Sequence, residues 1–235
     1  MKLKDSENYL VLGTFLALTG GIAALILAGF AQLTAKPIAE AKLRKVNQAL
    51  QEVLPAFDNT PSENTVVKTS PNGWEVTFYG ALQGGELVGV AATASSPDGY
   101  GGKLTSLLAL DPDGTVRTIQ TGDQQRSAVL ITEQTETPGL GTNVCERKNV
   151  KTIFNLFEDK SNAGLPPNRV LDQFAGKTAT AAAPWKVEKD GGEMIYITGA
   201  TVTSRAVTEL VYQIAVTYDR DRDAINAALQ KGNRQ

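Results

Sequence analysis

Residues Thr198-Gly199-Ala200-Thr201-Val202-Thr203-Ser204 place four hydroxyls around a single glycine, between a short apolar run and a long amphipathic stretch. Glycine permits a sharp backbone turn, and Thr203 or Ser204 can cap the first turn of a helix that follows. A helix start presents unpaired N–H groups and partial positive charge, so an anionic phosphate is favoured beside Thr201. A threonine hydroxyl is a poor nucleophile near neutral pH and the chain contains no histidine to activate it, so a phosphoester at Thr201 requires a separate enzyme to make it. A plain strand-to-helix turn with a capping threonine has the same local sequence, and the motif alone leaves both readings open.

A second turn lies upstream. Glu136-Thr137-Pro138-Gly139-Leu140-Gly141-Thr142 combines proline with two glycines, where backbone can lie close to a flat ring. Gly99-Tyr100-Gly101-Gly102 is a weaker signal of the same kind. Gly176-Lys177-Thr178 has the ending of a phosphate-binding P-loop, but the pattern needs glycine where Leu171 stands, so a nucleotide triphosphate site is excluded. Lys177 offers a positive charge for an anionic ligand.

Composition narrows the chemistry further. With no histidine and one cysteine, Cys145, the chain lacks the usual general base, zinc and haem ligands, an internal disulfide and a ligand set for an iron–sulfur cluster. Cys145 reads as a small, partly buried packing residue. Lysine and arginine number 23 against 25 acids, so no basic excess points to nucleic acid. A Ser/Thr hydrolase finds neither a Gly-x-Ser-x-Gly elbow nor a histidine to support it.

The elements that must position these turns follow from patterning. Residues 8–35 carry no charge, and roughly 20 helical residues cross a hydrocarbon core of about 30 Å, so 9–33 are expected to form a transmembrane helix after a short tail, 1–8. A cleaved signal peptide is the alternative, with a shorter apolar core. Gly13, Gly20, Gly21 and Gly29 give small surfaces for another membrane helix. Lys2 and Lys4 precede the span whereas Lys36, Lys42, Arg44 and Lys45 follow it, a count that favours a cytoplasmic C-terminal side, although long domains translocate largely regardless of charge. Residues 34–57 form a juxtamembrane helix or linker, with Pro37 at a helix start and Pro55 at its stop.

Residues 58–235 then form one domain. Trp74–Tyr79, Leu87–Ala91 and Val129–Thr132 read as strands. Leu104–Leu110 and Thr115–Gln120 form a hairpin about Asp111-Pro112-Asp113-Gly114, and Trp185–Val187 and Met194–Ile197 a second about Lys189–Gly192. Val150–Phe157 reads as a short helix. A closing helix sets Val207, Leu210, Val211, Ile214, Tyr218, Ile225, Ala228 and Leu229 on one face, with Asp219–Asp223 as an ordinary solvated charge run. Strands without regular βαβ alternation predict an α+β fold: an antiparallel sheet packed with helices, preceded by one N-terminal transmembrane helix.

Taken together, the anchor, Gly99–Gly102, Glu-Thr-Pro-Gly-Leu-Gly at 136–141 and Thr-Gly-Ala-Thr-Val-Thr-Ser at 198–204 resemble the G subunit of the Rnf electron-transport complex and its relative, the C subunit of the sodium-pumping NADH:quinone reductase. The resemblance implies an FMN-binding domain on the periplasmic side of a bacterial inner membrane. It implies FMN esterified to Thr201 by a flavin transferase, with Thr198, Gly199, Ala200, Val202, Thr203 and Ser204 around the tether and Glu136, Thr137, Pro138, Gly139, Leu140 and Gly141 along the isoalloxazine. Its implied partners are the other membrane subunits of a complex that couples ferredoxin–NAD electron transfer to sodium or proton movement. The family's modified members carry an aspartate three residues before the motif, where Ile195 stands here. The alternative is an anchored extracytoplasmic sensor or scaffold of the same fold without flavin.

Overall fold

A period-two pattern places Val76, Phe78, Gly80 and Leu82 of strand β2 (Glu75–Gln83) on one face and Thr77, Tyr79 and Ala81 on the other. The computed structural model describes residues 9–148 and 164–232, and the helix expected over 150–157 lies outside them. After β1 (Thr65–Thr69) and β2, the chain turns at Gly84-Gly85 into β3 (Glu86–Gly99), then into β4 (Gly102–Leu110). These strands pair in order, and β7 (Val129–Glu133) closes the sheet against β4, giving a five-stranded antiparallel sheet β1-β2-β3-β4-β7. A small ribbon, β5 (Thr118–Thr121) with β6 (Gln124–Ser127), lies apart from it. The α+β fold class read from the sequence is the one observed.

Helix α1 (Tyr9–Val53) continues through Pro37, which therefore lies inside a helix and does not start one. Proline there removes one backbone hydrogen bond without ending the helix. The chain divides into two units, residues 1–45 and 46–235. In the first, α1 has the length and apolar composition to cross a membrane. In the second, Ala49, Leu50, Val53 and Leu54 are buried against Ala81, Ala91, Leu107 and Ala109 of the sheet.

The opposite face of the sheet receives α4 (Thr201–Lys231), whose Val207, Leu210, Val211, Ile214, Tyr218, Ile225 and Leu229 join Val76, Phe78, Ala92, Leu104 and Leu108 in the main core. Asp221 breaks the helical dihedrals at φ −111°, ψ 16°, which re-phases the last turns and leaves Ala228 exposed rather than on the apolar stripe. Strands β2 and β3 run further than the sequence suggests, through Gly80-Ala81 and Ala92–Ala94. Small residues are poor strand formers in isolation, but α4 approaches so closely that a Cβ on Gly80 would sit 2.9 Å from Leu229 Cβ.

Both predicted hairpins are shorter than expected. Asp111–Gly114 does turn the chain, with Asp111 N–H donating to Thr115 O (2.9 Å) and Arg117 N–H to Ala109 O (2.9 Å), but Thr118 onward leaves to pair with β6. Val187 and Met194 form one isolated parallel bridge around a 3-10 turn, Glu188–Asp190, so Trp185–Ile197 is a curled loop and not a two-stranded ladder. The short helix α2 (Gly141–Cys145) follows the Pro-Gly turn. The buried Arg147 fixes its far end, with Nε donating to Val129 O (3.0 Å), Nη2 to Ser127 O (2.9 Å) and Nη1 to Asp172 Oδ1 (2.7 Å). A second short helix, α3 (Arg169–Asp172), supplies that carboxylate and is capped by Asn168.

Phe78 is fully buried with its ring centroid 5.9 Å from that of Tyr218, joining sheet to α4. Phe78→Ala is expected to lower stability by about 3–5 kcal/mol, read as the shift in a urea unfolding curve of the detergent-solubilised chain.

Candidate functional site

Three segments far apart in sequence meet at one carboxylate. Glu136, only 5% exposed, accepts the Thr203 hydroxyl proton at Oε2 (2.8 Å) and the Gly101 N–H at Oε1 (3.2 Å). Thr203 belongs to the first turn of α4, Gly101 to the β3–β4 turn, and Glu136 to the chain leaving β7. The junction excludes side chains: a Cβ on Gly101 would strike the Thr135 carbonyl, and one on Gly141 would strike the Glu136 carboxylate. Thr135 Oγ1 closes the same turn by donating to Gly101 O (2.7 Å).

The start of α4 is open. Ala200 flanks it at φ −126°, ψ 35°, and no side chain caps the helix. The first backbone bond inside the helix runs from Ser204 N–H to Ala200 O (2.9 Å), so the N–H groups of Thr201, Val202 and Thr203 are the end donors that a helix cannot pair internally. The capping role expected of Thr203 or Ser204 is therefore corrected. Both are buried inside the first turn with their hydroxyls already engaged, Thr203 with Glu136 and Ser204 with Ala200 O (2.9 Å) and Ile197 N–H (3.2 Å). The preceding Ile197 is in a loop, so this is a loop-to-helix turn. Gly199 takes φ +87°, and a Cβ there would stand 3.4 Å from Leu140 Cδ2, which brings the Pro-Gly turn into contact with this one.

Between the two turns opens a cleft of about 450 Å³ lined by Tyr100, Glu136, Thr137, Leu140, Gly141, Lys189 and the run Gly199–Thr203. It gathers most of the residues singled out from the sequence. Thr198, Pro138, Gly139 and Ser204 do not line it; Gly139 instead shapes its turn, with its N–H on Thr142 Oγ1 (2.9 Å). Lys189 is not among the residues that the sequence singles out, because nothing in a charged turn marks it until the loop folds over α4. Tyr100 at 72%, Leu140 at 46% and Val202 at 44% leave apolar surface uncovered around Thr201, as a ligand or partner site would. A second cleft of about 440 Å³ lies beyond Val202, along Trp185 and Arg205, but contains neither Thr201 nor Glu136.

The Gly176-Lys177-Thr178 segment is occupied otherwise. Gly176 N–H donates to Val116 O (3.0 Å) and Val116 N–H to Lys177 O (2.8 Å), so its backbone joins a strand-like pairing and not an anion cradle. Cys145 is buried, and burial first, then the charges of Glu136 and Glu146, pushes its thiol up to about 12.

An uncapped helix end, a hydroxyl at its first residue, an open volume within the range of cofactor pockets and apolar walls together suit a flat ligand bearing a phosphate. Residues 99–216 match the FMN-binding domain family. The chain is 30% identical to the G subunit of the ion-translocating oxidoreductase complex of Pseudoalteromonas atlantica, across 97% of this chain and 94% of that protein. It is 31% identical to the corresponding G subunit of Cereibacter sphaeroides strain ATCC 17029 across 94% and 89%, and 32% identical to that of Escherichia coli K12 across 85% and 85%. The chain belongs to the FMN-binding family of G subunits. The match makes FMN the ligand supported for this fold, and the described cleft residues fit both its ring and its phosphate.

Glu136→Ala leaves the Thr203 hydroxyl and Gly101 N–H without their acceptor and is expected to cost about 1–3 kcal/mol in thermal unfolding, whereas Glu136→Gln, whose carbonyl can accept from Gly101 N–H while its NH2 donates to the Thr203 hydroxyl oxygen, should cost less. Because its thiolate is disfavoured by burial, Cys145 is expected to resist iodoacetamide at pH 8 in the folded chain and to react on addition of denaturant, as read by intact mass.

Proposed function

We propose that this chain is an electron-transfer subunit of a membrane-bound ion-translocating oxidoreductase complex, with FMN held through a phosphoester to Thr201. One observation carries the reading: the Thr201 hydroxyl stands at the uncapped start of α4, where Thr201 lines the cleft. The first-turn N–H groups of α4 meet the phosphate, the helix dipole favours its charge, and Glu136 fixes the turn through Thr203. Leu140, Val202 and Tyr100 flank the flat ring, while Thr137 and Gly141 complete the wall. The bound flavin supplies reversible electron uptake and release. An electron relay needs no general base, which is consistent with a chain that has no histidine.

In this reading a separate flavin transferase makes the ester, since the chain has no histidine to activate Thr201. Helix α1 anchors the chain in a bacterial inner membrane, residues 46 onward lie on the periplasmic side, and neighbouring membrane subunits exchange electrons with the flavin while the complex moves sodium or protons. A tether keeps the cofactor from diffusing away outside the cell's flavin pool. Ile195 in place of the family's aspartate has its N–H bonded to Gln173 Oε1 (2.6 Å), so the backbone before the motif is held by the protein itself.

Co-expression with a flavin transferase, followed by denaturing electrophoresis, tests the proposal. Ultraviolet fluorescence should stay with the polypeptide, disappear in Thr201→Ala and persist in Thr178→Ala. A chain that remains dark in every lane would instead support a flavin-free scaffold.

A further inference from the structure

The cleft already contains a negative charge. Glu136 lies in its wall as a buried carboxylate, and a phosphate on Thr201 adds a second anion along the same first turn of α4 that Glu136 holds through Thr203. Two anions sharing one partly enclosed site repel unless a cation stands with them. Among the described residues that line the cleft, Lys189 is the cationic one.

The Lys189 side chain is exposed, but its backbone stands in a fixed place. It occupies the centre of the 3-10 turn Glu188–Asp190, closed by Asp190 N–H to Val187 O (2.9 Å) and Gly191 N–H to Glu188 O (3.0 Å). The next residue ties that turn to α4. Arg205 donates from Nε to Asp190 Oδ2 and from Nη2 to Asp190 Oδ1, both at 2.5 Å, forming a two-pronged fork one turn along from Thr201. Bidentate guanidinium–carboxylate pairs fix orientation as well as distance. The same hydrogen bonds hold the Asp190 carboxyl below its usual range, so the fork persists as pH falls toward that range and opens only below it.

From this placement we infer that Lys189 is the counter-charge for the FMN phosphate, held over the first turn of α4 by the Asp190–Arg205 fork. The inference rests on the flavin site proposed above. It moves the cationic role from Lys177, whose backbone is engaged with Val116, to a residue that the loop fold alone brings to the cleft. An ammonium is a compact charge on a flexible stem, suited to follow a phosphate that is also fixed by an ester.

The test separates phosphate from ring. Full-length Thr201→Val chain in detergent micelles, unable to form the ester, is titrated with FMN and with riboflavin, and flavin fluorescence quenching reports binding. FMN is expected to bind about tenfold more tightly than riboflavin. Adding Lys189→Gln should cut that preference severalfold, to what the α4 N–H groups alone supply, and leave riboflavin affinity unchanged. Lys189→Arg should retain it, and Asp190→Asn should reduce it. Raising ionic strength should weaken FMN binding in the Lys189 chain and have little effect in Lys189→Gln. Equal affinity for the two flavins in the Lys189 chain, binding of neither, or a preference undiminished by Lys189→Gln overturns the inference. Intact mass of the wild-type chain co-expressed with a flavin transferase judges the underlying reading separately: covalent flavin on the wild type alongside any of those three results removes the role of Lys189 alone, whereas its absence removes the ester.

Discussion

A buried carboxylate holds the site together. Taking Glu136 out of water costs several kcal/mol, and two hydrogen bonds to the charged group, from the Thr203 hydroxyl and the Gly101 N–H, offset that cost together with the positive end of α4. The geometry of this triple junction decides where Thr201 stands. Remove the acceptor, and the β3–β4 turn, the Pro-Gly turn and the start of α4 lose their common anchor. The surrounding glycines follow from the same constraint, since side chains at Gly101 or Gly141 would occupy space that the carboxylate and its backbone neighbours fill.

The fold supplies that junction from two sides. Phe78, Leu104, Leu108 and the apolar stripe of α4 fix the helix axis on the sheet, so the first turn of α4 emerges at the end where β3 turns into β4. Arg147 and Asp172 fix the chain beyond α2, so the Pro-Gly turn is held at its far end as well. Rigid supports on both flanks suit a tethered redox group, whose electron transfer depends on distance and orientation. The uncovered apolar surfaces of Tyr100, Leu140 and Val202 border the same cleft and, on the proposed function, are open to the flavin ring or to a neighbouring subunit.

Much of this is legible in the sequence because local chemistry and global fold agree there. The antiparallel sheet, the closing helix and the two turns that line the cleft follow from alternation, helical periodicity and proline–glycine signals. What escapes depends on tertiary contact. Strands β2 and β3 extend through alanines and Gly80 because α4 approaches closely, which propensity does not register. The loop around Lys189 reads as a hairpin by turn chemistry, yet curls because Met194 N–H bonds back to Lys186 O (2.9 Å) and Glu188 N–H to Met194 O (2.8 Å). Thr203 and Ser204 look like caps by residue type, but their hydroxyls are claimed by Glu136 and by the turn itself, which leaves the helix end free for an anion.

The central claim is that Thr201 bears the cofactor in the working protein. Its most direct test is fragmentation mass spectrometry of the peptide that ends at Arg205, obtained by proteolysis of the chain purified from its native membrane. The account predicts an added mass of FMN less water, localised by the fragment series to Thr201. An unmodified peptide, or the same mass on Thr198, Thr203 or Ser204, contradicts it.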